Sequence, residues 1–286
     1  MLIYPSTVQD GTPRDCPTPG CGAEADTSII RQKELGTSKA TALGRTNGGG
    51  PVDPSKLISI FMGGNANSSA AIAAREIHEA NLERRALAQR GLFGSGGLLG
   101  GLGGGAGAGA GNSGAAAGST GATSTGTKTA KGTVENGVAA AAGAGAASGL
   151  PTCSDDGTIT MNFHQVNQDG AGPLTASVDG TSGGSDVSAF KSAAVTQNVP
   201  GLGIGGLSGA TTTDFPVTVQ MPAGMTCSGS VGGASNVCIV KVQNSALAGP
   251  FGGSAAFTQS AAAKKRAIEY NLRKRRFARA LAAGNA

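Results

Sequence analysis

Tryptophan is absent from this 286-residue chain, histidine occurs twice and aromatic residues make up 3% of it. A core must therefore be assembled from Val, Ile, Leu, Met and a few Phe. A catalytic triad has almost no histidine to draw on, and no G-x-S-x-G elbow is present. No C-x2-C pair occurs, which together with the scarcity of histidine argues against a usual structural zinc site. No apolar run reaches the length of a membrane span. The opening stretch "MLIYPSTVQDGTPRDC" lacks the basic start and long apolar run of a signal peptide.

What is abundant is glycine, at 50 residues. Gly91 to Leu150 holds 21 Gly and 15 Ala in 60 residues. Such a block has little apolar bulk to offset its ordering entropy. It is expected to be a disordered linker or insert, so that deleting Gly101 to Gly149 would leave the melting temperature nearly unchanged. The formal charge of +5 is concentrated at one end. Lys264 to Arg279 contains eight basic residues and one acid, +7, which leaves 14 basic against 16 acidic residues elsewhere, or −2. A nucleic-acid-binding domain carries basic charge on its body, so no nucleic-acid partner is expected.

The five cysteines are Cys16, Cys21, Cys153, Cys227 and Cys238. Cys227 and Cys238 flank a glycine-rich loop, a spacing that suits a disulfide, and disulfides point to an extracellular protein. An odd count leaves one thiol over, and Cys153 is the candidate. The pairing of Cys16, Cys21 and Cys153 stays open.

In the second half, "GTITMNFHQV" alternates, with Ile159, Met161 and Phe163 on one face and Thr160, Asn162 and His164 on the other. Val217, Val219 and Met221 repeat the pattern, as do Cys238, Val240 and Val242, and "SAAFTQ" adds a short strand. Glycine-rich turns separate these runs. The reading is mainly β: an antiparallel, immunoglobulin-like β-sandwich with peripheral helices and the long disordered Gly/Ala-rich insert. Residues 1–64 form the N-terminal part of the sandwich, with "KLISIFM" as a strand. Residues 65–90 are a surface helix, 91–150 the insert, 151–260 the main sandwich and 261–286 a basic C-terminal helix. The expected core is Ile159, Met161, Phe163, Val217, Val219, Val240 and Val242.

Five ordered blocks carry a family resemblance: "TITMNFHQVNQDGAGP", "VTQNVPG", "DFPVTVQMPAGMTCSG", "NVCIVKVQNSALAGPFGG" and "AFTQSAAAKKRAIEYNLRKRR". Together they resemble the Egh16-like virulence factor family. "QDGTPRDC", "DTSIIR" and "LGRTNGGGPVD" match it more loosely. The resemblance implies a secreted fungal protein that acts non-catalytically at the fungus–host surface during appressorium-mediated penetration. Its partner would be a host or fungal cell-surface component, a polysaccharide among the candidates, and a monomer is expected. Family members usually open with a signal peptide and a mature His-Gly, whereas this sequence opens with Met1. The family's cysteine after "GAGP" is replaced by "GPLTASVD", in keeping with an unpaired Cys153. The His-Gly start is similar to that of copper-dependent polysaccharide monooxygenases. The alternative function is therefore a copper oxidase, with copper as cofactor in a full-length form and none in this chain.

Each candidate residue has a plainer reading beside the chemical one. His164 is either a metal ligand or a solvated or hydrogen-bonded strand-end histidine, exposed at least in part. His78 fails H-E-x-x-H because position 82 is Leu82. "GLGIGG" lacks the strand and helix of a dinucleotide site. Asp155, Asp156, Asp169, Asp179 and Asp186 sit in turns, where Asp bonds local backbone, rather than in a facing glycosidase pair. The basic tail touches anionic surfaces, is a solvated helix, or is cleaved at Lys265-Arg266 or Arg275-Arg276. Arg84-Arg85 is a further dibasic pair, and Asn67 begins a glycosylation sequon usable on secretion.

Overall fold

A computed structural model describes residues 8–64, 122–202 and 208–284. The predicted helix of residues 65–90, with His78, Arg84-Arg85 and Asn67, lies outside them, as does most of "GLGIGG". Three two-residue strands come first: β1 (Ser28–Ile29), β2 (Arg45–Thr46) and β3 (Gly50–Pro51), followed by helix α1 (Pro54–Phe61). Then come β4 (Ala122–Thr123), β5 (Thr127–Lys128), α2 (Gly137–Ala141) and α3 (Gly145–Ser148). The long strands are β6 (Thr158–Gln165), β7 (Thr175–Asp179), β8 (Phe190–Asn198), β9 (Thr213–Gln220), β11 (Ala234–Gln243) and β12 (Phe251–Thr258), with β10 (Gly229–Val231) between β9 and β11. Helix α4 (Ala261–Gly284) is the last described element.

Alternation in the sequence sets the register of these strands. Ile159 pairs with Val219, Met161 with Val217 and Phe163 with Phe215, so each apolar residue of β6 meets one of β9. A one-residue slip would turn all of them outward. Ile159, Met161, Val217, Val219, Val240 and Val242 are buried in one core, and Phe163 packs against it half-buried. The fold is mainly β with peripheral helices. Its strands form one twelve-stranded, almost wholly antiparallel sheet in the order β3-β2-β1-β12-β11-β7-β8-β9-β5, with β10 on β11, β4 on β8 and β6 on β9. Strand β8 makes the sheet continuous: it pairs with β7 up to Ala193 and with β9 from Ala194 onward. The pairing thus does not divide into two separate sheets.

Strand β11 is covered on both faces. Cys238, Val240 and Val242 enter the main core. Val237 and Ile239, on the other face, pack with Leu43, Val52, Ile58, Phe61 and Leu150 in a second cluster. Lys241 shares that face and is 6% exposed. Its ammonium donates to the Ala42 carbonyl at 2.8 Å and stands 4.3 Å from the centre of the Phe190 ring.

Two expectations need correction. "KLISIFM" is helix, not strand. Asp53 caps it by accepting from Ser55 N at 2.9 Å, and Pro54 opens the first turn. The β-branched isoleucines suggested a strand, but the D-P-S cap decides, and Ile58, Ile60 and Phe61 fall on buried positions of the helix. Residues 122–150 of the Gly/Ala-rich block are also not disordered: they belong to the folded body, and residues 91–121 lie outside the described residues. Asp10 accepts from Val138 N at 3.0 Å and Ala139 N at 2.7 Å, Glu135 N donates to Thr12 O, and Gly143 N donates to Ile60 O. Val138 and Leu150 are buried. A Cβ on Gly145 would strike the Phe61 ring, so this glycine permits close packing. Composition misled because Gly and Ala serve tight helix contact as readily as disorder.

The turns hold local hydrogen bonds. Asp179, fully buried, accepts from the backbone N–H of Thr181, Ser182 and Gly184. Burial works to raise its pKa, and the Ser182 hydroxyl together with these backbone bonds outweighs it and lowers it. Cys16 is bonded to Cys21 and Cys227 to Cys238, while Cys153 is a buried free thiol whose pKa burial raises.

Two measurements check this packing. Deleting residues 129–149 removes the Val138 and Ala139 N–H donors from Asp10 and exposes α1, so the melting temperature should fall by roughly 5 °C or more; an unchanged value would contradict the packing. Burial lowers the Lys241 pKa to about 8. Between that value and the ordinary one the unfolded chain binds more protons, so stability should rise with pH. In urea titrations from pH 7 to 10 the protein should gain on its Lys241→Met variant, by roughly 3 kcal/mol at most. A flat difference would mean that Lys241 is not desolvated.

Candidate functional site

Among the described residues β6 pairs with β9 alone, so it is an edge strand. A cavity of about 610 Å³ lies against its residues 161–164. The start of β12, residues 133–137 and residues 24–27 supply the other walls. The lining is mostly apolar and includes the Phe163 and Phe251 rings. Its charged residues are Arg14 against Glu24, Asp26, Glu135 and Asp214, a net charge of −3 with His164 neutral.

His164 stands on this wall, on the polar face that alternation assigned it. Its Nδ1 lies 2.8 Å from Asp214 Oδ1, directly across the β6–β9 ladder. An ionised carboxylate only accepts, so Nδ1 carries the proton. The side chain is 13% exposed, and Nε2 is buried without a hydrogen-bond partner. It is therefore more enclosed than a solvated strand-end residue. A copper site of the kind weighed above needs a second imidazole. The described residues contain no group of three or more His, Cys, Asp or Glu that could hold a metal ion. His164 with Asp214 does not fit a copper ion.

The opposite wall depends on Arg14, which is 8% exposed. Its guanidinium forks onto Asp26, with Nη1 3.1 Å from Oδ1, and also reaches Glu135 Oε2 at 2.8 Å. Burial works against the charge, and the two carboxylates more than offset it, so the pKa is raised. Glu24, beside them, accepts from the Asn167 amide at 2.6 Å. Burial and the nearby Asp169 charge raise its pKa, and the amide opposes them.

The blocks quoted above supply the β6 wall, Asp214, Phe251, Arg14 and Asp26, but not Glu24 or residues 133–137. A family model described as Egh16-like virulence factor matches residues 4–252. The chain belongs to that family. The Appressoria-specific virulence factor GAS2 of Pyricularia oryzae is 62% identical over 278 residues, 96% of this chain and 85% of that one. The Appressoria-specific virulence factor GAS1 of the same fungus is 37% identical over 131 residues, 44% of this chain and 51% of that one. No solved structure matches. The family match spans every residue of the cavity wall except Gly253, Ser254 and Ala255 of β12.

The remaining sites lie away from this cavity. Cys227–Cys238 joins the start of β10 to β11. Lys265, Arg266, Arg275 and Arg276 are exposed on α4. The sequence reading missed Arg14, Asp26, Glu135 and Asp214. Arg14 and Asp26 stand inside "QDGTPRDC" and "DTSIIR", where the loose match was their only signal. Glu135 was hidden in the Gly/Ala-rich block.

Replacing Asp214 by Ala leaves His164 enclosed with neither ring nitrogen paired, and should cost about 1–3 kcal/mol in urea unfolding. Asp214→Asn keeps an acceptor and should recover most of that. Equal stability of all three forms would show that the pair carries no weight.

Proposed function

We propose that this protein is secreted and acts non-catalytically at the fungus–host surface during appressorium-mediated penetration, holding a segment of a cell-surface polymer in the β6 cavity. The observation that carries the reading is the cavity itself. It is of small-ligand size, it is mostly apolar with two aromatic rings, and a buried Arg–carboxylate network and a His–Asp pair fix its walls. The similarity to appressorial virulence factors supports the place of action. The two disulfides suit an oxidising compartment. No helix among the described residues is long and apolar enough to cross a membrane.

The cavity's charge narrows the ligand. With three carboxylates in excess it repels an acidic polymer and favours a neutral or cationic one, and a neutral or amine-bearing polysaccharide fits best. Asn162 is exposed on the cavity wall. An Asn162→Trp variant should keep its melting temperature and lose at least about tenfold in binding to whichever neutral or basic wall polysaccharide the parent retains. Binding unchanged by the substitution would end the assignment of this cavity. Finding the native protein inside hyphae, with none in the culture fluid or apoplast, would end the extracellular reading.

A further inference from the structure

Helix α4 is held by only half of its length. Ala263 and Ala267 are buried, and Asn271 donates to the Gly224 carbonyl at 2.8 Å. A small cavity of about 340 Å³ lies beneath this part, between residues 222–225 and Ala263, Arg266, Ala267 and Tyr270. From Leu272 to Leu281 every residue is exposed. The free end is about 20 Å long at the usual helical rise.

This overhang carries Arg273, Lys274, Arg275, Arg276 and Arg279 with no acid among them. No salt bridge among the described residues engages any of the five. Like charges on neighbouring turns repel and weaken a helix. Large apolar side chains are exposed in the same stretch: Phe277 is 67% and Leu281 57% exposed. At about 100° per residue, Tyr270, Phe277 and Leu281 fall within ~40° of one another. They prolong the side on which Ala263 and Ala267 meet the body. Arg273 and Lys274 flank this stripe, and Arg275, Arg276 and Arg279 lie opposite.

We infer that the free half of α4 is a docking surface for an acidic polysaccharide, a carboxylated sugar polymer that wraps the helix end. Charge complementarity selects a polyanion, because the five cations, in no salt bridge among the described residues, carry the whole formal charge of +5 and the rest of the chain sums to zero. The geometry selects a flexible chain over a lipid surface. A flat bilayer reaching Phe277 and Leu281 would approach from the body's own side of the helix and meet the body first. A sugar polymer presents carboxylates and apolar ring faces in alternation, which matches cations interleaved with Phe277 and Leu281. This surface is separate from the acidic cavity, and its ligand is of opposite charge.

The test measures binding of the full chain to polygalacturonate, with dextran, phosphatidylserine vesicles, poly-glutamate and duplex DNA as competing probes. The expected result is binding to polygalacturonate that weakens at least about tenfold between 50 and 200 mM salt, and no binding to dextran by the Asn162→Trp variant, whose cavity is blocked. A variant with Arg273, Lys274, Arg275, Arg276 and Arg279 all replaced by Gln should lose at least about tenfold while its melting temperature holds. Asn162→Trp should leave this binding intact, which separates it from the cavity. Undiminished binding in the Gln variant overturns the proposal. So does tighter binding to the vesicles, to DNA or to poly-glutamate than to polygalacturonate.

Discussion

The guanidinium of Arg14 joins three stretches that sequence places far apart. It belongs to the N-terminal segment, it forks onto Asp26 in the next loop, and it reaches Glu135 across 121 positions of chain. Removing Arg14 would leave two enclosed carboxylates, Asp26 and Glu135, without their cation, which is far more damaging than losing a surface ion pair. Around it the backbone locks by a short antiparallel bridge, Pro13 opposite Val134. The wall of the cavity facing β6 exists because this network closes. With the Asp10 bonds to Val138 N and Ala139 N, the network holds residues 9–15 and 133–139 side by side.

Legibility followed periodicity. Strands β6 and β9, with one face toward the core and one away, announce themselves by strict alternation, and their core residues could be named from sequence. Strand β11 is buried on both faces, so its alternation of Cys238, Val240 and Val242 showed only half of its packing. Val237 and Ile239 support a second core that needed α1 and the N-terminal loops to be seen. Helix α1 was misjudged where side-chain propensity and capping chemistry disagreed, and the cap won. His164 was placed on the correct face, but alternation fixes only the face: a two-residue slip would keep it and lose Asp214, fifty residues away. Long-range polar pairs of this kind have no period to read.

Charge is divided as sharply as structure. The body gathers acids around its cavity, and the cations collect on a helix that the body barely touches. A single net value of +5 describes neither part. Association with a partner would be governed by which part it meets first, since the two fields are opposite in sign and fall off within a Debye length of about 8–10 Å in physiological salt.

Strand β1 finds its partner in β12, where Ser28 pairs with Gly252 and Ile29 with Phe251. That partner is made about 220 residues later. At a synthesis rate of roughly 5–20 residues per second, the first strand waits ten seconds or more with its edge open. The early third of the protein therefore emerges unable to finish folding. Loop closure over such a span is slow and comes late. A newborn chain of this kind is a natural client for chaperones that shield unpaired strand edges until β12 reaches β1.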